Sequence, residues 1–304
     1  MRELRAACAA VAARARFVQI ETAAIPGYAA GLALGTPEGD PDPEFDLPEE
    51  PLEQRAAFWL MLDAINFGSG WFPTLRKRPG RSGYFTVAGG LRERYAREGP
   101  WSAERLSRIG AAEIATTLGQ DPGHELMSWF AASLRDLGAR VAGEHDGSFA
   151  ALAGSTAGSA VGLARRLGGW PCFADSSRYD GISVPFLKRA QIAAADLARA
   201  EVIRPHDLSG LTMFADNLVP HVLRLDGILR FDRALVDRIE RGELIEHGSL
   251  EEVEIRACAL HAVELIVAAR PGSCAAEIDQ VLWQRGQQPS YKASPRHRSR
   301  CTAY

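Results

Sequence analysis

The sequence predicts an all-α fold, a single globular domain over residues 1–304. Three observations lead there. Apolar residues recur at helical spacing in nearly every segment, which gathers them on one stripe of a helix. Strict apolar–polar alternation, the mark of a half-buried strand, is confined to one short candidate, Arg81 to Val87. No internal repeat divides the chain into copies.

Taken in order, Arg2 to Val18 reads as a surface helix and Ile20 to Ala33 as a weaker one. Gly35 to Pro51 combines proline, glycine and acid, the composition of a solvated loop. Gln54 to Phe67 is apolar on nearly every face, so this helix is expected inside the protein. Pro73 to Ser82 is basic and turn-rich. Tyr84 to Tyr95, Ser102 to Leu118 and Glu125 to Leu137 follow as three helices, with Ser102 and Asp121-Pro122 as starts. Ser and Asp accept from the first free amides of a helix, and proline suits its first turn. Ser148 to Leu167 reads as one helix with glycines at 154, 158 and 162. Such a helix approaches its neighbour closely, at about 1 kcal/mol per interior glycine. Pro185 to Ala200 is a clear helix; Asn217 to Leu225 and Arg233 to Arg241 are shorter ones. Ser249-Leu250-Glu251-Glu252 is a capping box that opens a long helix through Ala269. The tail after Pro289 is basic and irregular, and it finishes on aromatic Tyr304.

Composition excludes several function classes. Residues are 46% hydrophobic and 24% charged, with a net charge of −3. A protein that grips long stretches of phosphate backbone is usually basic, so no stable nucleic-acid complex is expected. A small anionic ligand needs only one or two well-placed cations. The five cysteines are scattered without a CxxC or CxxxC pair, so no metal site is signalled, and an odd number suits a reducing compartment. The Ala/Arg-rich N-terminus lacks the apolar core of a signal peptide, and no apolar run reaches the roughly 18 residues that span a bilayer. A soluble, cytoplasmic protein is expected, with no membrane partner. No Walker loop, GxGxxG after a strand, HExxH or GxSxG is present, and no cofactor is implied.

What remains are acids and bases standing where the pattern expects apolar residues. Asp216, in LTMFADNLVPH, follows an apolar run and directly precedes a helix. It reads as a plain N-cap. The same geometry keeps a carboxylate ionised, as glycosidic cleavage through an oxocarbenium-like transition state requires. Both roles can coexist. In PFLKRAQIAAADLARA the apolar stripe runs through Phe186, Leu187, Ala190, Ala193, Ala194 and Leu197, with Asp196 at its edge and Lys188 pointing away. Two solvated charges account for this pattern, although Lys188 could hold a phosphate. Asp63 and Asn66 lie in the apolar FWLMLDAINF helix, where an unpaired carboxylate is costly; a structural hydrogen bond and a ligand contact both fit. Glu264 shares a helix face with Val253, Ala257 and Leu260, which an ion pair with an arginine would explain. The closing HRSR, with His297, Arg298 and Arg300, is a solvated tail unless Tyr304 docks it on the core.

Several segments resemble the queuosine salvage family, whose members are queuosine 5'-phosphate N-glycosylases. They are FWLMLDAINF (58–67), SGYF (82–85), VPFLKRAQIAAADL (184–197), LTMFAD (211–216), GELIEHGSLEEVEIRA with VELI (242–257, 263–266) and HRSRCTAY (297–304). The weaker RFVQIETAAI (16–25) extends the likeness over nearly the whole chain. The resemblance implies a helical fold related to the helix-hairpin-helix DNA glycosylases and hydrolysis at C1' of a ribose 5'-phosphate, with queuosine 5'-phosphate as substrate and queuine as product. It makes Asp216 the catalytic carboxylate, either stabilising the oxocarbenium and activating water or attacking C1'. It makes Lys188 the phosphate contact. Asn66, Phe67, Tyr84 and Phe214 would shape a pocket for a flat deazapurine, where stacking contributes roughly 1–3 kcal/mol per base. Asp196 and Glu264 would hydrogen-bond the base or its cyclopentenediol.

The chain also departs from the family. After FAD the family usually reads Tyr, a basic residue, an aliphatic, Pro and Gln; here stand Asn217, Leu218, Val219, Pro220 and His221. Ala198 and His261 replace residues that tend to be Trp, and GSGW follows the NF motif in place of an aromatic pair. His221 is placed to bind substrate or tune Asp216, or to be a surface histidine. Two other functions compete. A glycosylase acting within DNA or RNA would use the basic run Arg76-Lys77-Arg78 with Arg81, and filter binding to duplex DNA and tRNA separates it. A non-catalytic queuine-binding module would keep the aromatic pocket and tolerate loss of Asp216.

Overall fold

Periodic apolar residues become helices throughout the computed structural model, which describes residues 1–34 and 50–304. In chain order these are α1 (Arg2–Ala12), β1 (Val18–Ile20), α2 (Ile25–Gly31), α3 (Leu52–Ala64), α4 (Gly83–Glu98), α5 (Ala103–Leu106), α6 (Ala111–Leu118), α7 (Glu125–Glu144), α8 (Phe149–Gly154) and α9 (Ala160–Gly168). There follow β2 (Ser176–Tyr179), β3 (Ile182–Pro185), α10 (Lys188–Arg199), α11 (Val219–Leu225), β4 (Leu229–Phe231), α12 (Arg233–Glu240), α13 (Leu250–Ala269), α14 (Ala275–Arg285) and α15 (Pro289–Lys292). The predicted loop of Gly35 to Pro51 lies, apart from its last two residues, outside the described residues. No helix among the described residues is long and apolar enough to cross a membrane.

The described residues form two units. The first takes 1–34, 176–188 and 209–300; the second takes 50–175, 189–208 and 301–304. In the first, α13 is the central helix, buried from Glu252 to Leu260, and α1, α2, α11, α14 and β1 pack on it. The face that α1 buries is Leu4, Cys8 and Val11, one helical stripe. In the second unit α3 is buried at every position from Ala56 to Ala64, as the sequence predicts, and α4, α7 and α8 pack against it. The final residues dock: Cys301, Ala303 and Tyr304 are buried, and the Gly68 amide donates to the Tyr304 carbonyl at 3.0 Å.

Elsewhere the structure corrects the predicted elements. The first helix stops at Ala12 because Glu254 on α13 accepts from the amides of Arg16, Phe17 and Val18 at 2.9, 2.6 and 3.1 Å. The chain leaves extended, and β1 pairs antiparallel with β4, Val18 opposite Phe231. Arg81 to Val87 is no strand: the Ser82 hydroxyl accepts from the Phe85 amide at 3.3 Å and caps α4. Ser102 to Leu118 splits into α5 and α6 at Gly110, and Ser148 to Leu167 splits into α8 and α9. That second break holds Ala157 and Gly158 at positive φ, where a helix cannot continue. Asp121 does not cap α7; His124 does, accepting from the Leu126 amide at 3.2 Å.

Other features escaped prediction or met it only in part. The β2–β3 hairpin turns on Asp180-Gly181, both at positive φ, which is the sequence signal of a two-residue hairpin. That hairpin takes Pro185 into β3, so Phe186 and Leu187 precede the helix and α10 begins at Lys188. The stripe of Ala275, Ile278 and Leu282 forms α14. Only half of the predicted capping box forms: Ser249 caps α13, while the Glu252 carboxylate turns to His247 and the Gly248 amide.

Candidate active site

The LTMFAD run crosses the first unit without regular secondary structure. Leu211, Thr212, Met213 and Ala215 are buried, whereas Phe214 and Asp216, two residues apart, are half-buried. Apolar neighbours thus hold the backbone and leave these two side chains at its edge. The Asp216 Oδ1 accepts from the amides of Leu218 (2.8 Å) and Val219 (3.1 Å), capping α11. Oδ2 has no hydrogen bond among the described residues. Capping and an available carboxylate oxygen therefore coexist in one side chain.

Two neighbours pin the backbone on either side of it. The Asp279 Oδ1, on α14, accepts from the Phe214 amide at 2.9 Å. The Arg256 Nε, on α13, donates to the Ala215 carbonyl at 2.9 Å. Arg256 is fully buried, and its guanidinium lies 3.9 Å over the ring of Phe186, within cation–π range. It also pairs with the buried Glu252 at 3.4 Å. Burial alone would raise the Glu252 carboxyl; Arg256, His247 and the Gly248 amide outweigh it and hold it down at about 2. Phe186 stands two residues before Lys188, and Leu187 between them has φ of 54°, a strained conformation for a non-glycine residue.

Charges converge on Asp216. Lys188 is 5% exposed, buried where the helical wheel had it solvated, because it occupies the first position of α10 as the chain leaves β3. Its charge acts on Asp279. Asp279 is 4% exposed and pushed well above the usual carboxylate range, by burial first and then by the charge of Asp216. Arg296 is the second cation. Burial lowers it, the facing Asp216 raises it, and it has no hydrogen bond or ion pair among the described residues. Asp279, Arg256 and Arg296 were not anticipated from sequence. An acid on the apolar stripe of α14 was the available signal for Asp279; nothing local marks the other two.

The remaining predicted residues are placed as follows. His221 is 2% exposed, its Nε2 lies 2.9 Å from the Tyr291 carbonyl, and burial lowers it to about 4. Neutral imidazole therefore donates there, tying α11 to α15. Glu264 pairs with Arg5 at 2.8 Å, and Arg5 donates onward to the carbonyls of Gly210 and Leu211 at 3.2 and 3.0 Å. The expected arginine partner thus also steadies the start of LTMFAD. Asn66, Phe67, Tyr84 and Asp196 belong to the second unit. Phe67 is 1% exposed, edge-on to Phe130 at 5.0 Å and beneath the buried guanidinium of Arg189 at 4.9 Å. Asn66 is half-buried just past α3, Tyr84 sits in the first turn of α4 against Phe85, and Asp196 is 3.5 Å from Arg199. In the basic run, Arg76 and Arg78 pair with Asp121 and Glu93.

Comparison with known proteins gives this arrangement its context. A family model described as queuosine salvage protein matches residues 47–304. A protein of Sphaerobacter thermophilus named queuosine 5'-phosphate N-glycosylase/hydrolase is 35% identical over 265 residues, covering 83% of this chain and 82% of that one. Proteins of the same name from Nematostella vectensis and Bos taurus are 29% identical over 250 residues and 31% identical over 153 residues. The first covers 74% of this chain and 70% of the relative, the second 44% and 45%. With the match running through LTMFAD, KRAQ and the docked tail, the chain belongs to the queuosine salvage protein family.

Proposed function

We propose that this protein hydrolyses the N-glycosidic bond of queuosine 5'-phosphate and releases queuine. The observation that carries this reading is a half-buried carboxylate, Asp216, with one oxygen uncommitted and Arg296 facing it, in a chain that shares 35% identity with a relative of that name. As the bond from C1' to the base nitrogen lengthens, positive charge builds on the ribose. The Asp216 carboxylate stabilises that charge, through space or by bonding to C1'; water then adds its hydroxyl to C1' and its proton goes to the departing base nitrogen, giving ribose 5-phosphate and neutral queuine. Lys188 and Arg296 supply positive charge for the phosphate, whose binding energy orients C1' toward Asp216. This chemistry needs only residues of the first unit.

The helical architecture supports kinship with the helix-hairpin-helix DNA glycosylases. Five thiols without a disulfide support a reducing, cytoplasmic setting. The net charge of −3 and the pairing of Arg76 and Arg78 to carboxylates support a small-molecule substrate over a nucleic-acid strand. Incubation of purified protein with queuosine 5'-phosphate and with queuosine tests the assignment. Queuine should appear much faster from the phosphorylated compound, and its absence from both would overturn the proposal.

A further inference from the structure

Taking queuosine 5'-phosphate as the substrate, we propose that Asn217 and His221 are positioning residues. They clamp residues 291–297 against α11 and so hold the guanidinium of Arg296 opposite Asp216, where it receives the substrate's phosphate.

From the end of α15 to residue 300 the chain has no helix or strand, so its backbone groups need partners from elsewhere. Those partners come from the segment that starts at Asp216. The Asn217 Nδ2 donates to the His297 carbonyl at 3.0 Å. The Arg224 Nη2 donates to the Pro295 carbonyl at 3.1 Å, and the His221 Nε2 to the Tyr291 carbonyl at 2.9 Å. His221 and Arg224 are three residues apart and share a face of α11. Arg224 also lies 3.5 Å from the His221 Nδ1, which leaves the proton on Nε2. Arg296 thus stands between two carbonyls that are both tied down, and the residue after it meets the residue after Asp216. Further contacts fix the two ends. The Tyr291 hydroxyl donates to the Asp226 Oδ1 at 2.5 Å, while the Ile245 amide donates to the Arg298 carbonyl at 2.9 Å.

The side chain held in this way is itself uncommitted. Arg296 is half-buried and has no hydrogen bond or ion pair among the described residues. A guanidinium carries five donors in a planar fork that matches a phosphate, and withdrawing it from water without partners is costly. A bound phosphate supplies those partners. A long side chain on an irregular segment also loses conformational freedom when it binds. Pinning the backbone on both sides of Arg296 removes part of that cost before the substrate arrives. Asn217 and His221 are two of the residues at which the run after FAD departs from the family. Both departures reach this one segment.

Calorimetric titration of ribose 5-phosphate into the full-length protein tests the clamp without the base. Arg296→Met should weaken binding by roughly 10- to 100-fold. Asn217→Leu and His221→Leu lose their donors and should each weaken it by roughly three- to tenfold. KM for queuosine 5'-phosphate should rise by the same factors, with kcat moving much less. His221→Gln should keep the wild-type affinity, because its amide reaches the Tyr291 carbonyl. In the Arg296→Met background the leucine substitutions should add nothing, whereas a merely structural role would produce the same loss in both backgrounds. Unchanged binding by Arg296→Met, equal losses in the two backgrounds, or a glutamine variant as weak as the leucine one would each overturn the proposal. If the leucine variants do not fold, Tyr291→Phe takes their place, since it frees the half-buried end of the segment from Asp226. Its loss should be roughly two- to fivefold and should vanish in the Arg296→Met background; no loss rejects the idea. A wild type that releases queuine but does not bind ribose 5-phosphate would reject it too. A wild type that releases no queuine yet shows this binding pattern would remove the substrate assignment alone.

Discussion

The guanidinium of Arg256 lies over the ring of Phe186, 3.9 Å from its centre. Through that contact and the hydrogen bond to Ala215, one buried side chain braces both segments that carry the proposed site, Phe186 to Lys188 and Phe214 to Asp216. Its own charge is balanced by Glu252.

Removing Arg256 should therefore damage the fold first. Arg256→Ala leaves the buried Glu252 with only His247 and the Gly248 amide, and breaking a buried pair costs about 3–5 kcal/mol. Arg256→Met combined with Glu252→Gln should recover a large part of that loss, because no lone charge remains. Urea denaturation of the two variants measures the difference; equal losses would contradict the pairing.

At position 216 capping and chemistry should come apart. Asp216→Asn retains the cap on α11, so its unfolding should match wild type, whereas Asp216→Ala should lose about 1 kcal/mol. Both should lose queuine release by on the order of a thousandfold or more, since neither carries the charge that the transition state requires. Thermal melts beside a release assay give both readouts, and appreciable turnover by the Asn variant would remove Asp216 from the mechanism.

Lys188 should act through the phosphate alone. A hydrogen bond to a charged group contributes about 1.5–3 kcal/mol, so Lys188→Met should raise KM for queuosine 5'-phosphate by roughly 10- to 100-fold. Slow cleavage of unphosphorylated queuosine should barely change. Equal losses on both compounds would mean that Lys188 serves the fold.

Acid should destabilise the protein already below neutrality. His221 is lowered from 6.5 to about 4 and His297 from 6.5 to about 3, burial being the largest cause in each. The unfolded chain therefore binds protons that the native state refuses. The stability these rings contribute is complete above about pH 6.5 and is lost as pH falls through that window to their folded values. Glu252, held at about 2 against an ordinary 4.5, adds a second loss between those values. Urea midpoints at neutral and mildly acid pH check the first window, and His221→Gln should shrink the change.

Much of the local structure was legible in the sequence. The all-round apolar character of Phe58 to Ala64 announced a buried helix, the Ser249 cap announced α13, and the run before Asp216 announced a carboxylate at a helix start. These depend on neighbours within a few residues, and the chain itself carries that information. The helix ends were harder to read. Glu254 draws out residues 16–18 from more than two hundred positions away, and the hairpin at Asp180-Gly181 takes Pro185 from the predicted start of α10.

By itself, then, the sequence determined a helical protein of the queuosine salvage family with Asp216 and Lys188 as its marked residues. Only the tertiary structure decided that Lys188 is buried, that His221 is spent on the Tyr291 carbonyl, that Asp279 and Arg256 hold the backbone of Phe214 and Ala215, and that Arg296 faces Asp216. The reason is physical. Helical periodicity records which face of a segment avoids water, but the charge state and partners of a buried group depend on what distant segments bring against that face.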